Sequence, residues 1–315
     1  MERTESQEQQ ANRPMDVNQA PTGIPSPFKP TESLIFPQGN GQTCASCGSA
    51  SGANSDSGTN YAHVYALGRI EARFPTMGME KELAQATGRA DTNGLTDRQA
   101  LYDVLKVKEH RYLVRKLCWV FTIQGMETYI LLPHDPTDFE LLVEALGRNP
   151  SPMDLDCVIG MRGPLAPPTM CNGLMVPIVA FDQLYWFDRD SLLKSIPNPE
   201  AIPEDQFESS TAELFDRIIQ MTDNAGATDE HRALNYLAMR YPAIYTLAAD
   251  SHRRAASLTA VEVRASRLSG TRKIVDVIFS YRNRNTDVTE KFFVRVDVTE
   301  EFPFLVTKLM PYFDR

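Results

Sequence analysis

Cys44 and Cys47, in Cys44-Ala45-Ser46-Cys47-Gly48, are the residues whose type and spacing suggest chemistry most directly. Two thiolates at that spacing grip one Zn²⁺ from a tight turn, and a glycine after the second relieves the backbone. A closed structural site needs two further ligands. Cys171, in the turn-like Met170-Cys171-Asn172-Gly173, is the first choice, Cys157 the second, and His63 a weaker one. A second copy of the hook across a homodimer would also complete four sulfurs. Two other readings stand beside structural zinc: free thiols in a flexible arm, or a redox dithiol. The redox reading lacks the strand and helix that surround a thioredoxin-type motif.

A nucleophile with its base can be composed from Cys171, His134 and Asp135, which supply the residue types of a Cys-His-Asp arrangement. Five cysteines and five histidines offer such a trio by chance, and His134 reads first as a strand-to-helix junction residue bonded to backbone. Gly-x-Ser-x-Gly, Walker-type and dinucleotide fingerprints are absent from the sequence. Cys118, inside Leu117-Cys118-Trp119-Val120-Phe121, reads as a buried structural thiol.

Charge supplies the third feature. From Glu262 to Arg295 eight basic residues face four acidic ones, a local balance of +4 in a chain of net charge −9. Arg264, Arg267, Arg272, Lys273, Arg282 and Arg284 would make a dock for an acidic peptide if they share one open sheet face. The competing reading is a solvated face laced with cross-strand ion pairs. An unpaired outer strand there would accept a peptide by strand addition.

These groups need elements to hold them. A chain of 315 residues with 42% hydrophobic content allows one or two domains with a real core. The net charge of −9 and a pI near 5.2 argue against nucleic acid as partner. No apolar run reaches the ~20 residues of a membrane span. The N-terminus lacks the basic-then-apolar pattern of a signal peptide, and the low, odd cysteine count argues against a secreted disulfide framework. The cytoplasm is the expected compartment.

Residues 1–58 are rich in Gln, Asn, Ser, Pro and Gly, with six prolines before Gly39, and read as a disordered arm ending in the hook. Residues 59–315 read as one α+β domain. The sequence predicts a first strand over Tyr61–Phe74 and a helix over Met77–Thr87. A second helix follows a Thr96–Gln99 capping box, and Trp119–Ile123 pairs with Tyr129–Leu132 as a hairpin. Asp135-Pro136 opens another helix that Gly147 stops. Buried strands follow over Val158–Met161 and Val176–Phe181, separated by a Pro-rich loop. A helical middle section is expected over Ser209–Met221, Asp229–Arg240 and Pro242–His252. Alternation over Leu258–Val263, Ile274–Tyr281 and Phe292–Val298 gives a C-terminal antiparallel β-meander. Helices gathered between groups of strands, with no βαβ rhythm, give α+β with a mixed or antiparallel sheet.

The run Asn60-Tyr61-Ala62-His63-Val64-Tyr65-Ala66-Leu67-Gly68-Arg69-Ile70-Glu71-Ala72-Arg73-Phe74-Pro75 resembles the opening of a C-terminal domain of unknown function, best known from cyanobactin (patellamide-type) maturation proteases. The runs at 82–96, 168–184, 225–245 and 257–315 are similar to it too, so the resemblance covers about residues 60–315. Its most specific segments are Ala225–Tyr236 and Phe304–Lys308-Leu309. The resemblance implies a role in making ribosomally synthesised, post-translationally modified cyclic peptides, with no reaction assigned to the domain. The family's larger proteins carry a subtilisin-like protease upstream; no protease triad is carried over here, and Met1 favours a free-standing member.

The function expected is therefore a non-catalytic accessory domain. It would hold a precursor peptide or a pathway enzyme, such as the subtilisin-like protease/macrocyclase or a heterocyclase, as a homodimer with structural zinc at the hook. The alternative is a peptide-modifying hydrolase or isomerase using Cys171 or a zinc-bound water.

Overall fold

The computed structural model describes residues 62–87, 97–147, 154–198, 202–221 and 223–313. The arm expected over 1–58, with Cys44 and Cys47, lies outside the described residues.

The described residues start with β1 (Ala62–Arg73), whose alternation sends Val64, Ala66 and Ile70 to one side and Tyr65 and Leu67 to the other. The two halves of β1 have different partners: residues 62–68 pair with one strand and 69–73 with another. Gly68 sits at the change-over. A Cβ there would lie 2.3 Å from the Thr122 carbonyl oxygen, so only glycine lets the neighbouring strand come this close. Three helices follow, α1 (Met77–Thr87), α2 (Asp97–Leu105) and α3 (Arg111–Val114), and all three add side chains to the first core.

β2 (Cys118–Ile123) and β3 (Met126–Pro133) form the predicted hairpin. Its turn places Gln124 and Gly125 at φ 52° and 79°, the positive values that match the right-handed twist of the strands. Asp135 then accepts a hydrogen bond from Thr137 N at 2.8 Å and starts a 3₁₀ turn. That turn leads into α4 (Phe139–Leu146), which buries Leu142, Val143, Ala145 and Leu146. β4 (Asp154–Leu165) and β5 (Pro177–Asp188) are twelve residues each, longer than their apolar runs suggest.

β1 to β5 close on themselves in the order β1-β2-β3-β5-β4, with β3 and β5 parallel and every other pair antiparallel. A five-stranded barrel of this order, with a helix between β3 and β4, has the topology of an OB-type barrel. Trp119, Phe121, Leu131, Val158 and Phe181 fill the interior together with Leu142 of α4.

A second layer follows. α5 (Arg189–Lys194), α6 (Glu204–Ile219), α7 (Asp229–Arg240) and α8 (Ala243–Arg253) precede β6 (Ala256–Ala265), β7 (Ile274–Asn283), β8 (Thr289–Asp297), β9 (Phe304–Leu305) and β10 (Met310–Tyr312). The strands form an antiparallel sheet in the order β10-β8-β7-β6, with β9 also on β8. The meander is thus as predicted, with two short strands added. Leu214, Phe215, Leu234, Leu237 and Tyr245 of the helices pack on Val277, Phe279, Val294 and Val296 of the sheet. The fold is α+β.

The barrel and the helical layer meet at Tyr65. Its N–H donates to Gly226 O at 2.9 Å, and its carbonyl accepts from Asn235 Nδ2 at 2.8 Å. Gly226 has φ +69°, and a Cβ there would lie 2.3 Å from Tyr65 O. Gly226→Ala combines strain with a clash and is expected to cost about 2 kcal/mol or more. Gly270, with nothing within 4 Å of its Cβ position, is the control, and Gly270→Ala should change the denaturation midpoint little.

Candidate functional site

Two regions hold the groups that could do work: a groove on the outer face of the barrel, and a polar cluster where β3 ends beside the bulge in β5.

The groove starts at Cys118, the first residue of β2, which stands opposite Arg73 at the end of β1. The loop of residues 166–176, between β4 and β5, folds back over this face. Cys171 at its turn forms a disulfide with Cys118, the Cα atoms being 5.5 Å apart. Beneath the loop Val120 and Ile130, outward-facing on β2 and β3, are buried against Ala166, Met170, Leu174, Val176 and Ile178. Beside the disulfide a cavity of about 320 Å³ remains, walled by Arg73, Phe74, Glu127 and the 171–174 turn. Arg73 is ion-paired with Glu71 at 2.8 Å and with Glu127.

The polar cluster is built where the end of β3 meets the middle of β5. His134 follows β3 and donates its backbone N–H to Phe181 O at 2.9 Å. Asp182 lies at the bulge where β5 slips its register against β4. Their side chains meet, with His134 Nδ1 2.7 Å from Asp182 Oδ1. Glu301 reaches the same place from the segment after β8. That segment is fixed by Arg232, buried on α7, which donates to the carbonyls of Val298 at 2.8 Å, Glu301 at 3.1 Å and Glu300.

Burial pushes the Glu301 carboxyl up to about 8, and the Asp182 carboxylate adds to the push against the opposing Arg232 guanidinium. His63 on β1 is held below the usual imidazole range, first by burial and then by Arg232. Its Nδ1 has no hydrogen-bond partner among the described residues. The arrangement sets the raised Glu301 carboxyl beside Asp182 and the buried Arg232.

The residues singled out from sequence fare differently. The trio Cys171, His134 and Asp135 is not assembled. Cys171 is bonded to Cys118, His134 faces Asp182, and Asp135 spends its Oδ1 on the N–H and hydroxyl of Thr137 at 2.8 and 2.9 Å. Cys171 and Cys157 do not come together as zinc ligands either. Cys157 is enclosed with Tyr65, Leu67 and Ile159 on the other side of the barrel, where burial pushes its thiol up to about 12. Among the described residues no group of three or more His, Cys, Asp or Glu side chains is arranged to hold a metal ion. Cys118 is buried, as expected, but as half of a disulfide rather than as a thiol.

The basic strip is largely neutralised. Arg272 lies 3.6 Å from Asp297, Lys273 3.6 Å from Asp229 and Arg282 3.0 Å from Asp287. Arg284 Nε donates to Ser257 Oγ at 2.7 Å. Arg264 stacks over Tyr312 at 5.0 Å, and Arg267 is exposed without an ion-pair partner among the described residues. Sequence reasoning did not single out Asp182, Arg232 and Arg73. Arg232 and Asn235 carried a usable signal, since they occupy positions three apart on the face of α7 that also bears Leu234 and Ala238.

An OB-type barrel joined to a helix-covered antiparallel sheet defines the structural class. Residues 201–312 match the family model described as PatG C-terminal. A solved structure, the "PatG Domain of Unknown Function", superposes with a TM-score of 0.65 at 20% sequence identity, over 80% of this chain and 99% of that one. No curated protein matches the chain. The C-terminal segment therefore carries the PatG C-terminal signature and the described domain has the PatG domain fold, as the sequence resemblance implies. No helix among the described residues is long and apolar enough to cross a membrane.

The polar cluster gives a pH test. The Glu301 carboxyl is raised from its ordinary 4.5 to about 8 in the folded protein, so the native state holds a proton that the unfolded chain loses between those values. Its contribution is full below pH 4.5 and is lost as pH rises through about 8. Glu301→Gln should therefore gain stability relative to wild type as pH is raised from 5 to 8, measured as the difference between the two denaturation midpoints at each pH. An unchanging difference would refute the raised Glu301 carboxyl.

Proposed function

We propose that this domain is an accessory peptide-binding module of a cyanobactin-type pathway. In this reading the free edge of β6 takes an extended segment of the precursor peptide, or of a partner enzyme, as an added strand. The observation that carries it is the place of β6 in the sheet. It ends the order β10-β8-β7-β6 and, among the described residues, has a strand partner on the β7 side alone. An edge of this kind offers unpaired N–H and C=O groups.

Near its start the edge is partly sealed, because Arg217 Nη1 donates to Leu258 O at 2.6 Å. From Thr259 onward the strand is half-buried or exposed, and Val261 and Val263 offer apolar contact. Arg264 closes the exposed stretch and Arg267 lies just beyond it. Both favour a peptide with acidic residues at that end. Arg272, Lys273, Arg282 and Arg284 have partners of their own and set the local potential rather than contact the peptide. A zinc ion at Cys44 and Cys47 belongs to the same reading, with further ligands other than the bonded Cys171.

Hydrogen exchange with a synthetic precursor peptide tests the reading. Amides of residues 259–265 should gain protection, and Arg264→Glu with Arg267→Glu should weaken binding by roughly tenfold with a reduced salt dependence. Binding without protection along β6 would sink strand addition while leaving the accessory role open to another surface.

A further inference from the structure

The loop of residues 166–176 covers the outer face of β2 and β3, which OB-type barrels use for ligands. Four backbone hydrogen bonds order it: Ala166 N to Val176 O, Met170 N to Pro167 O, Gly173 N to Met170 O and Leu174 N to Cys171 O. All four close within the loop. Its covalent tie to the barrel wall is the bond from Cys171 to Cys118, 53 residues earlier in the chain.

The turn that carries Cys171 is also conformationally expensive. Cys171, Asn172 and Gly173 have φ of +48°, +56° and +85° in succession. Left-handed backbone at a non-glycine residue persists where surrounding structure over-determines it. Here the surrounding structure is the disulfide and the apolar contacts beneath it. Both cysteines also line the cavity of about 320 Å³ that opens beside Arg73 and Phe74, so a small thiol can approach the sulfur–sulfur bond without the fold opening.

We propose that Cys118–Cys171 is a thiol–disulfide exchange site that takes a dithiol reductant in this cavity and acts as the latch of the 166–176 loop. A thiolate of the dithiol attacks one cysteine sulfur, forms a mixed disulfide and releases the other cysteine as a thiolate, which takes up a proton. The second thiol of the reductant then displaces the first cysteine. Two electrons pass to the protein, leaving two cysteine thiols and one oxidised cyclic disulfide. With the latch open the left-handed turn relaxes, and the loop uncovers Val120, Ile130 and Ile178. Cys157, enclosed on the far side of the barrel, takes no part.

The test uses the full chain, folded, with dithiothreitol as the dithiol. After alkylation, mass mapping should find Cys118 and Cys171 modified and Cys157 protected, which also separates their signal from Cys44 and Cys47. Amide exchange over 166–176 should accelerate by at least about tenfold on reduction, while residues 62–70 keep their protection. Removal of dithiothreitol with oxidised glutathione added should restore the slow rate. A Cys118→Ala/Cys171→Ala variant should exchange at the reduced rate without any reductant. The proposal is overturned if the bond yields only in denaturant, or if loop exchange is the same before and after reduction. Should the variant fail to fold, the wild-type comparison decides alone.

Discussion

The structure depends on how the free side of β1 is sealed. Its first half pairs with β4 on one side, whereas β2 takes the other side only from Arg69 onward. The stretch before Arg69 would otherwise present unpaired backbone to the protein interior, at a cost of about 1–3 kcal/mol per group. Gly226 and Asn235 supply the missing acceptor and donor to Tyr65. Asn235 is fully buried, and its carbonyl oxygen accepts from Asn224 Nδ2 at 2.8 Å. The barrel closes, but the stretch of β1 that β2 does not reach is thus completed by the helical layer. This makes the two halves one folding problem, and it fixes the start of α7, from which Arg232 positions Glu301.

That dependence orders the surfaces left over for function. One side of the barrel exterior, with Tyr65, Leu67, Cys157 and Ile159, is packed with Tyr236 and Met239 of α7. Another lies under the 166–176 loop. Closing a loop of 53 residues is worth about 4 kcal/mol in the chain-entropy account, enough to hold a short cover whose backbone bonds all close within itself. The barrel topology supplies a ligand face and this chain covers it, so likeness of topology alone assigns no ligand here.

How much of this was legible in the sequence follows from the range of each interaction. Strands and helices announced themselves through local periodicity, and the Asp135-Pro136 start was read from single residues. Barrel closure was not legible, because it depends on β1 changing partner at Gly68, and a lone glycine in a strand does not say which strand approaches it. The full lengths of β4 and β5 were missed because Asp154 and Asp156 at the start of β4, Arg162 and Gly163 near its end, and Asp182 within β5 read as loop. The cysteines were misassigned for the same reason of range. Cys171 looked like a partner for Cys44 and Cys47 by residue type, whereas the fold brings it to Cys118. The catalytic trio failed because adjacency in sequence put Asp135 beside His134, while the parallel pairing of β3 with β5 put Asp182 there.

The charge pattern shows how register converts composition into something different. Eight basic residues against four acidic ones suggested an electropositive face. The strand register sets Arg264 opposite Asp276 and Asp276 opposite Arg295, so the acids sit between bases across the sheet. Arg295 donates to Asp276 at 2.9 Å and lies over the Phe293 ring at 4.8 Å. A surplus of charge arranged this way binds itself first, and an incoming acidic group competes with pairs already made. Long-range attraction is then weak, and recognition falls to short-range contacts. On the C-terminal sheet the proposed strand addition would rest on the backbone groups along the free edge of β6, with Arg264 and Arg267 at one end.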